Sequence, residues 1–429
     1  MKFFFTLIIL VIFQNCSFDN KSGIWKSENS IKKVDKDLFD ELETLSISNE
    51  TFSKILPIQK NYRFKLSDKI VNLNWNDFFY NETNNPDNFK YSNINQLSFK
   101  SKKITKYKPG KYILYNQGNI ILGDKKGNII IFSINKNEII GKVNFYKKKY
   151  KNLDKVLNLI VEGSIIYATD NIGYLYAFDY SKNKILWAKD YKVPFRSNLK
   201  ILDNKIVAAN QNNNLYFFDK NNGEVLRLIP TEETVVKNQF INNFAANKEN
   251  LFFLNTYGSL YSINKKSMRI EWFVNLNQSV DLNPNNLFLS NQIIIYKNKI
   301  IVPTNEFLYV IDAINGSIIY KKNFTPLIRP LVVDGYLFLI NSNNLLVSLE
   351  LDSGNLIYSY NLNQKIADFL ETKKKNDEFK NIIIANNKIL IFLKNSYILK
   401  FDFYGELEEI NKLPSKLKTE PIFIEKSIL

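Results

Sequence analysis

The chain has 429 residues, of which 45% are hydrophobic and 23% charged, and its formal net charge is +16. It holds no histidine and a single cysteine, which excludes Ser-His-Asp and Cys-His catalysis, histidine metal sites and any intrachain disulfide. The lysines are scattered, as at Lys147 to Lys149 and Lys373 to Lys375, with no basic helix, RNP-like motif or cysteine-histidine zinc pattern, so nucleic acid is not an expected partner.

The N-terminus, "MKFFFTLIILVIFQNC", opens with Lys2 and runs apolar from Phe3 to Phe13. At a helical rise near 1.5 Å per residue that stretch reaches only about 16 Å, against roughly 30 Å for a bilayer core. A short basic start followed by a short apolar run reads as a secretory signal. Residues 17 to 61 are polar, with a faint helical period only from Val34 to Leu45, and are expected to form a tether. The folded domain is expected over residues 62 to 429.

From residue 127 onward one unit repeats. "GYLYAFDYSKNKILW" places Gly173 in a turn, Asp179 six residues later and Trp187 fourteen residues after the glycine. The same offsets give Gly127, Ser133 and Gly141; Asn213, Asp219 and Arg227; Gly258, Asn264 and Trp272. They give further Glu306, Asp312 and Tyr320; Asn344, Glu350 and Tyr358; Ser396, Asp402 and Ile410. Self-similarity at this period suits a propeller blade better than shorter solenoid units.

"LYAFD", "LYFFD" and "LYVID" are rich in aromatic and β-branched residues, and apolar runs such as "KIVAAN" precede each anchor across turn-forming residues. Each unit therefore predicts four short antiparallel strands. The anchor supplies a turn residue tolerant of positive φ. The acid closes the third strand by accepting backbone N–H groups, and the aromatic covers the gap to a neighbouring blade. All three roles are structural, and no catalytic, metal-binding or cofactor-binding residue is expected. Residues 62 to 122 hold further strand-like runs, "KIVNLNW", "NINQLSFK" and "KYILYNQGNIILGD", and the tail ends in "EPIFIEKSIL". The fold class expected is all-β, a β-propeller. Eight blades are favoured, one built from both chain ends, with seven as the alternative.

The "YAFD…NG…W" wording resembles the pyrroloquinoline-quinone-like repeat, which implies a PQQ/WD40-like propeller, and the whole is similar to the outer-membrane protein assembly factor BamB family. Cys16, just after the apolar stretch, resembles the lipidated cysteine of bacterial lipoproteins. With Ser17 rather than an aspartate next to it, the resemblance implies an anchor in the outer membrane, facing the periplasm. It implies a non-enzymatic scaffold without cofactor, whose partner is the central subunit of the β-barrel assembly complex and whose clients include unfolded outer-membrane proteins. In the family the partner surface includes a loop between central blades, and its nearest equivalent is "PTEETVVKNQF", with Val235, Val236 and Lys237 as contact candidates. Quinone-dependent dehydrogenases share the repeat, but their adjacent-cysteine disulfide cannot form here. They and a different envelope interaction propeller are the alternative readings.

Overall fold

The computed structural model describes residues 51–92, 96–146, 148–233, 242–277 and 288–429, and the backbone of two short strands, Cys16–Phe18 and Trp25–Ser27. Those two strands pair antiparallel within a small unit that ends at Asn49. The rest, Glu50–Leu429, is a second compact unit. The apolar stretch before Cys16 lies outside the described residues. Among the described residues no helix is long and apolar enough to cross a membrane.

The second unit is all-β. Among its described residues stand seven four-stranded sheets, each a meander in which every strand pairs antiparallel with the next. They begin with strands Pro109–Asn116, Leu157–Glu162, Lys200–Leu202, Asn243–Ala246, Ile294–Tyr296, Leu331–Val333 and Phe379–Ala385; we number them blades 1 to 7. The first three strands of each blade carry most of the buried residues, and burial drops in the fourth strand of every blade except blade 6. Val332 and Ile383 are fully enclosed, while the fourth strands Lys184–Asp190 and Ile270–Asn275 alternate toward solvent.

The core is distributed between sheets, in seven apolar clusters that each join two consecutive blades. Leu114 and Ile121 of blade 1 meet Leu159 and Ile166 of blade 2; Phe217 of blade 3 meets Phe244 of blade 4; the series continues through blades 5, 6 and 7. It then closes, because Ile383 and Phe392 of blade 7 share a cluster with Ile113 and Ile130 of blade 1. A cyclic set of sheet-on-sheet interfaces is a propeller, and closure leaves only the short outer strands as edges.

The number of blades equals the number of repeat copies. The eighth blade expected from the two chain ends does not form as a four-stranded sheet. The tail makes a two-stranded hairpin, Phe423–Ile424 with Ser427–Ile428, held to the N-terminal region by Asn72 and Ser92. Of the upstream runs, "KYILYNQGNIILGD" supplies the first two strands of blade 1. "KIVNLNW" joins no blade. Its backbone bonds go elsewhere: Ile70 bonds to Asn88 and Lys90, Asn72 O accepts from Glu425 of the tail hairpin, and only Trp75 reaches an inner strand, at Tyr115.

The tether also differs from expectation at its end. Residues 51 to 61 lie against the ring: Phe52 N donates to Asn323 O at 3.0 Å, and Leu56 and Ser359 exchange both backbone hydrogen bonds at 3.0 and 2.9 Å. Phe52 packs edge-on to Phe324, so a few apolar residues in a polar stretch suffice to dock it. The consequence shows in the fourth strand of blade 6, Leu356–Asn361, whose centre is buried where those of blades 2 to 5 are largely open.

Candidate functional site

The repeat residues set the joints between blades. Six of the seven anchors, Gly127, Gly173, Asn213, Gly258, Asn344 and Ser396, have φ between +58° and +114°. Glu306 is the exception; its turn is shorter and is made by Thr304, whose Oγ1 accepts from the backbone of Glu306 and Phe307. Sequence reasoning missed the residue three before most anchors. Asp170 Oδ1 accepts from the N–H groups of Ile172, Gly173 and Tyr174 at 2.8 to 2.9 Å. Asn255 repeats this before Gly258, and Asn210 and Asn341 do the same. The signal was an Asp or Asn at a fixed offset, hidden in a chain rich in asparagine.

At the end of the third strand, Asp179, Asp219, Asp312 and Asp402 each accept a backbone N–H of the following turn. Four residues after Asp219 stands Gly223, at φ +74°, and a Cβ added there would lie 2.5 Å from the Trp187 ring of the preceding blade. Trp187 Nε1 also donates to Lys220 O of that turn at 3.2 Å. Trp272 covers Gly316 and donates to Ala313 O; Tyr320 covers Gly354 and donates to Leu351 O; Tyr358 and Tyr360 cover Gly405. Where the aromatic position holds Gly141, Arg227 or Ile410, the next blade's turn carries Asn183, Met268 or Asn137 in place of glycine. Ring and glycine therefore form one joint and are present or absent together.

The axis of the ring is taken up by the chain itself. Residues 75 to 89 visit the first strand of every blade in order. Trp75 pairs with Tyr115 of blade 1 through two hydrogen bonds of 2.7 and 3.0 Å, and Asn76 O accepts from Val161 of blade 2 at 3.0 Å. Lys200 of blade 3 donates to Asp77 Oδ2, Asn81 O and Asn84 Oδ1 at 2.6, 2.8 and 2.6 Å. Glu82 O and Thr83 O accept from Ala246 of blade 4 and Ile295 of blade 5, at 2.8 and 2.9 Å. Asn85 makes a reciprocal amide pair with Val332 of blade 6, and Phe89 bonds to Ile384 and Asn386 of blade 7. Lys200 has no exposed side-chain surface. Burial pulls its ammonium below the usual lysine range, against the opposing pull of Asp77.

This channel does not fit a tricyclic quinone with its metal. The strand ends that would present a cofactor are bonded to residues 75 to 89. Among the described residues no three of Asp, Glu, Cys and His gather as ligands for a cation. At one mouth lies a cavity of about 120 Å³.

Val235, Val236 and Lys237 lie outside the described residues. The base of their loop, between blades 3 and 4, is firmly seated. Thr231 Oγ1 donates to Asn213 O, and Glu232 accepts from Tyr261, Asn255 and Ser259 at 2.6, 2.9 and 3.0 Å. Burial pushes the Glu232 carboxyl up, but these donors outweigh it and hold it below the usual range. Cys16 is placed only as a backbone position in the short strand Cys16–Phe18.

Residues 125–323 match a family model described as outer membrane protein assembly factor BamB. No curated protein matches by sequence. Among solved structures, BamB from Moraxella catarrhalis is similar with a TM-score of 0.60 at 11% identity, covering 77% of this chain and 94% of that one. A europium-containing methanol dehydrogenase gives 0.61 at 10% identity, with 81% and 87% covered. Quinohemoprotein alcohol dehydrogenase from Comamonas testosteroni gives 0.60 at 9%, with 81% and 74% covered. At such identities the likeness is one of fold.

Proposed function

We propose, for a propeller that carries over residues 125–323 the repeat of the outer membrane protein assembly factor BamB family, a non-enzymatic scaffold of outer-membrane β-barrel assembly. It is held by lipid on Cys16 at the periplasmic face of the outer membrane and binds the central assembly subunit. The observation that carries the reading is the occupied axis. The dehydrogenases with this fold are enzymes by name, and here residues 75 to 89 stand along the inner strands of all seven blades.

Two candidate binding surfaces follow from this reading. One is the loop at 230–240, with Val235, Val236 and Lys237 as contact candidates, on a base fixed by Thr231 and Glu232. The other is the set of outer strands in blades 3 and 4, where Val225, Leu226, Leu228 and Phe273 are each more than two-fifths exposed. Such an edge accepts an extended client by backbone pairing. Blade 6 already receives Leu56 in this way.

A membrane pull-down from the native host, with mass spectrometry, tests the reading. Wild type should recover the barrel-assembly subunit, and Cys16→Ala should lose most of it. The double change Val236→Asp and Lys237→Glu should weaken capture by about tenfold or more while leaving the chain at the membrane. Stable membrane association without the assembly subunit would move the function to another envelope partner. Capture unchanged by the double substitution would remove the loop from the interface.

A further inference from the structure

Beyond the scaffold reading, the channel mouth carries a site of its own. The cavity of about 120 Å³ opens where the first strands of blades 1 and 7 begin, beside the segments that lead into blades 5 and 6. One wall is aromatic, from Trp75, Phe78 and Phe79 of the axial segment. Around the rest stand three cations, Lys111, Arg329 and Lys380, and one carboxylate, Glu420.

The charges do not balance. Glu420 is buried and lies 3.5 Å from Lys111, whose own side chain is largely exposed. Lys380 Nζ reaches only the carbonyls of Thr419 and Leu417, at 2.7 and 3.4 Å. Arg329 Nη1 is enclosed without a hydrogen-bond acceptor, and so is Trp75 Nε1. The Arg329 guanidinium carbon sits 5.6 Å from the Phe79 ring centroid, so the aromatic face offers it partial compensation. Burial pulls both Arg329 and Lys380 below their usual ranges. An excess of donors and positive charge around a small cavity, next to an aromatic wall, describes the complement of an anion on an apolar body.

We infer that this mouth binds a carboxylate carried on a short apolar group, with Arg329 and Lys380 holding the carboxylate and Phe78 and Phe79 covering the apolar part. Two sources offer the same chemistry, a free organic acid and the C-terminus of a peptide.

Isothermal titration of the mature full chain separates these cases. The probes are 3-phenylpropionate, its amide, and a tripeptide ending in leucine with a free or an amidated C-terminus. The acid is expected to bind, its amide not. A free-ended peptide that binds tighter than the acid assigns the site to chain termini, and the reverse assigns it to free acids; either supports the inference. Arg329→Gln is expected to weaken binding by about tenfold or more. Should that buried change unfold the ring, Lys380→Gln, which gives up only two carbonyl contacts, is expected to do the same at unchanged melting temperature. The inference is overturned if neither acid nor free-ended peptide binds, if the amides bind equally well, or if inorganic phosphate binds as tightly as the acid. Affinity unchanged in the folded variants would overturn it as well.

Discussion

Asp77→Ala is expected to lower the unfolding free energy by about 3–5 kcal/mol, the cost of leaving a buried cation without its carboxylate. Lys200 has no exposed side-chain surface, and the substitution leaves it only Asn81 O and Asn84 Oδ1 as acceptors. Urea denaturation of both proteins, followed by tryptophan fluorescence, measures the difference. The loss should depend on pH with a definite sign. Burial already depresses the Lys200 folded value relative to the unfolded chain, and removing Asp77 depresses it further. Between the folded value and the ordinary lysine range the unfolded chain binds more protons, so stability gains as pH rises through that window. The penalty of Asp77→Ala should therefore shrink as pH rises from neutrality toward the ordinary lysine range. A penalty independent of pH would mean that Lys200 is not the group left stranded. A penalty below about 1 kcal/mol would mean that water reaches the axis.

Gly223→Ala is expected to destabilise by about 2–4 kcal/mol, more than a surface turn would normally cost. Two effects add there. The backbone holds φ at +74°, which a side chain tolerates poorly, and the new methyl would sit 2.5 Å from the Trp187 ring. Trp187→Ala should cost about 2–3 kcal/mol, below the range for a fully enclosed tryptophan because this ring is only half-buried. The double substitution is the sharper measurement. With the ring gone the methyl has room, so Gly223→Ala in that background should cost only the φ term, about 1 kcal/mol. Strict additivity would show that the two residues do not share a joint. Asn183, which fills the equivalent turn without a facing aromatic, gives the control: Asn183→Ala should stay within about 1 kcal/mol.

Much of the ring was legible in the sequence because it is written seven times. Repetition turned weak local signals, an Asp after "LYAF" or a Gly before it, into a count that pattern alone could support. The positions of Gly173, Asp179 and Trp187 within a blade followed directly. What repetition could not give was the partner of each residue. Gly223 looked like a turn residue of its own blade, and its reason lies in the blade before it. The axial segment was illegible for the opposite cause: residues 75 to 89 occur once, alternate poorly and contain Asn81, Asn84 and Asn85 in an asparagine-rich chain. Their hydrogen bonds go to seven different strands, so no local period records them. "KIVNLNW" has the propensity of a strand, but its backbone bonds are divided among Asn88 and Lys90, Glu425 of the tail and, from Trp75, Tyr115 of blade 1, so it builds no sheet of its own. The carboxylate-binding mouth was equally hidden, since Lys111, Arg329, Lys380 and Glu420 lie far apart in sequence and are gathered only by closure.

The axial segment also fixes an order of events. It leaves the ribosome, and enters any export channel, ahead of every strand it must touch. Asn72 waits for Phe423, a separation of 351 residues, and Tyr91 for Asn386, a separation of 295. Contacts this distant in sequence are slow to form, and until the last blade and the tail arrive Asn72 and Phe89 lack the bonds that fix them. A chain halted before blade 7 would hold six sheets and an axial segment seated from Trp75 to Asn85, with Phe89 and Asn72 left without the partners that finish it. Completion of the C-terminus is then the event that commits the whole molecule, and a premature stop late in the message would forfeit its beginning as well as its end.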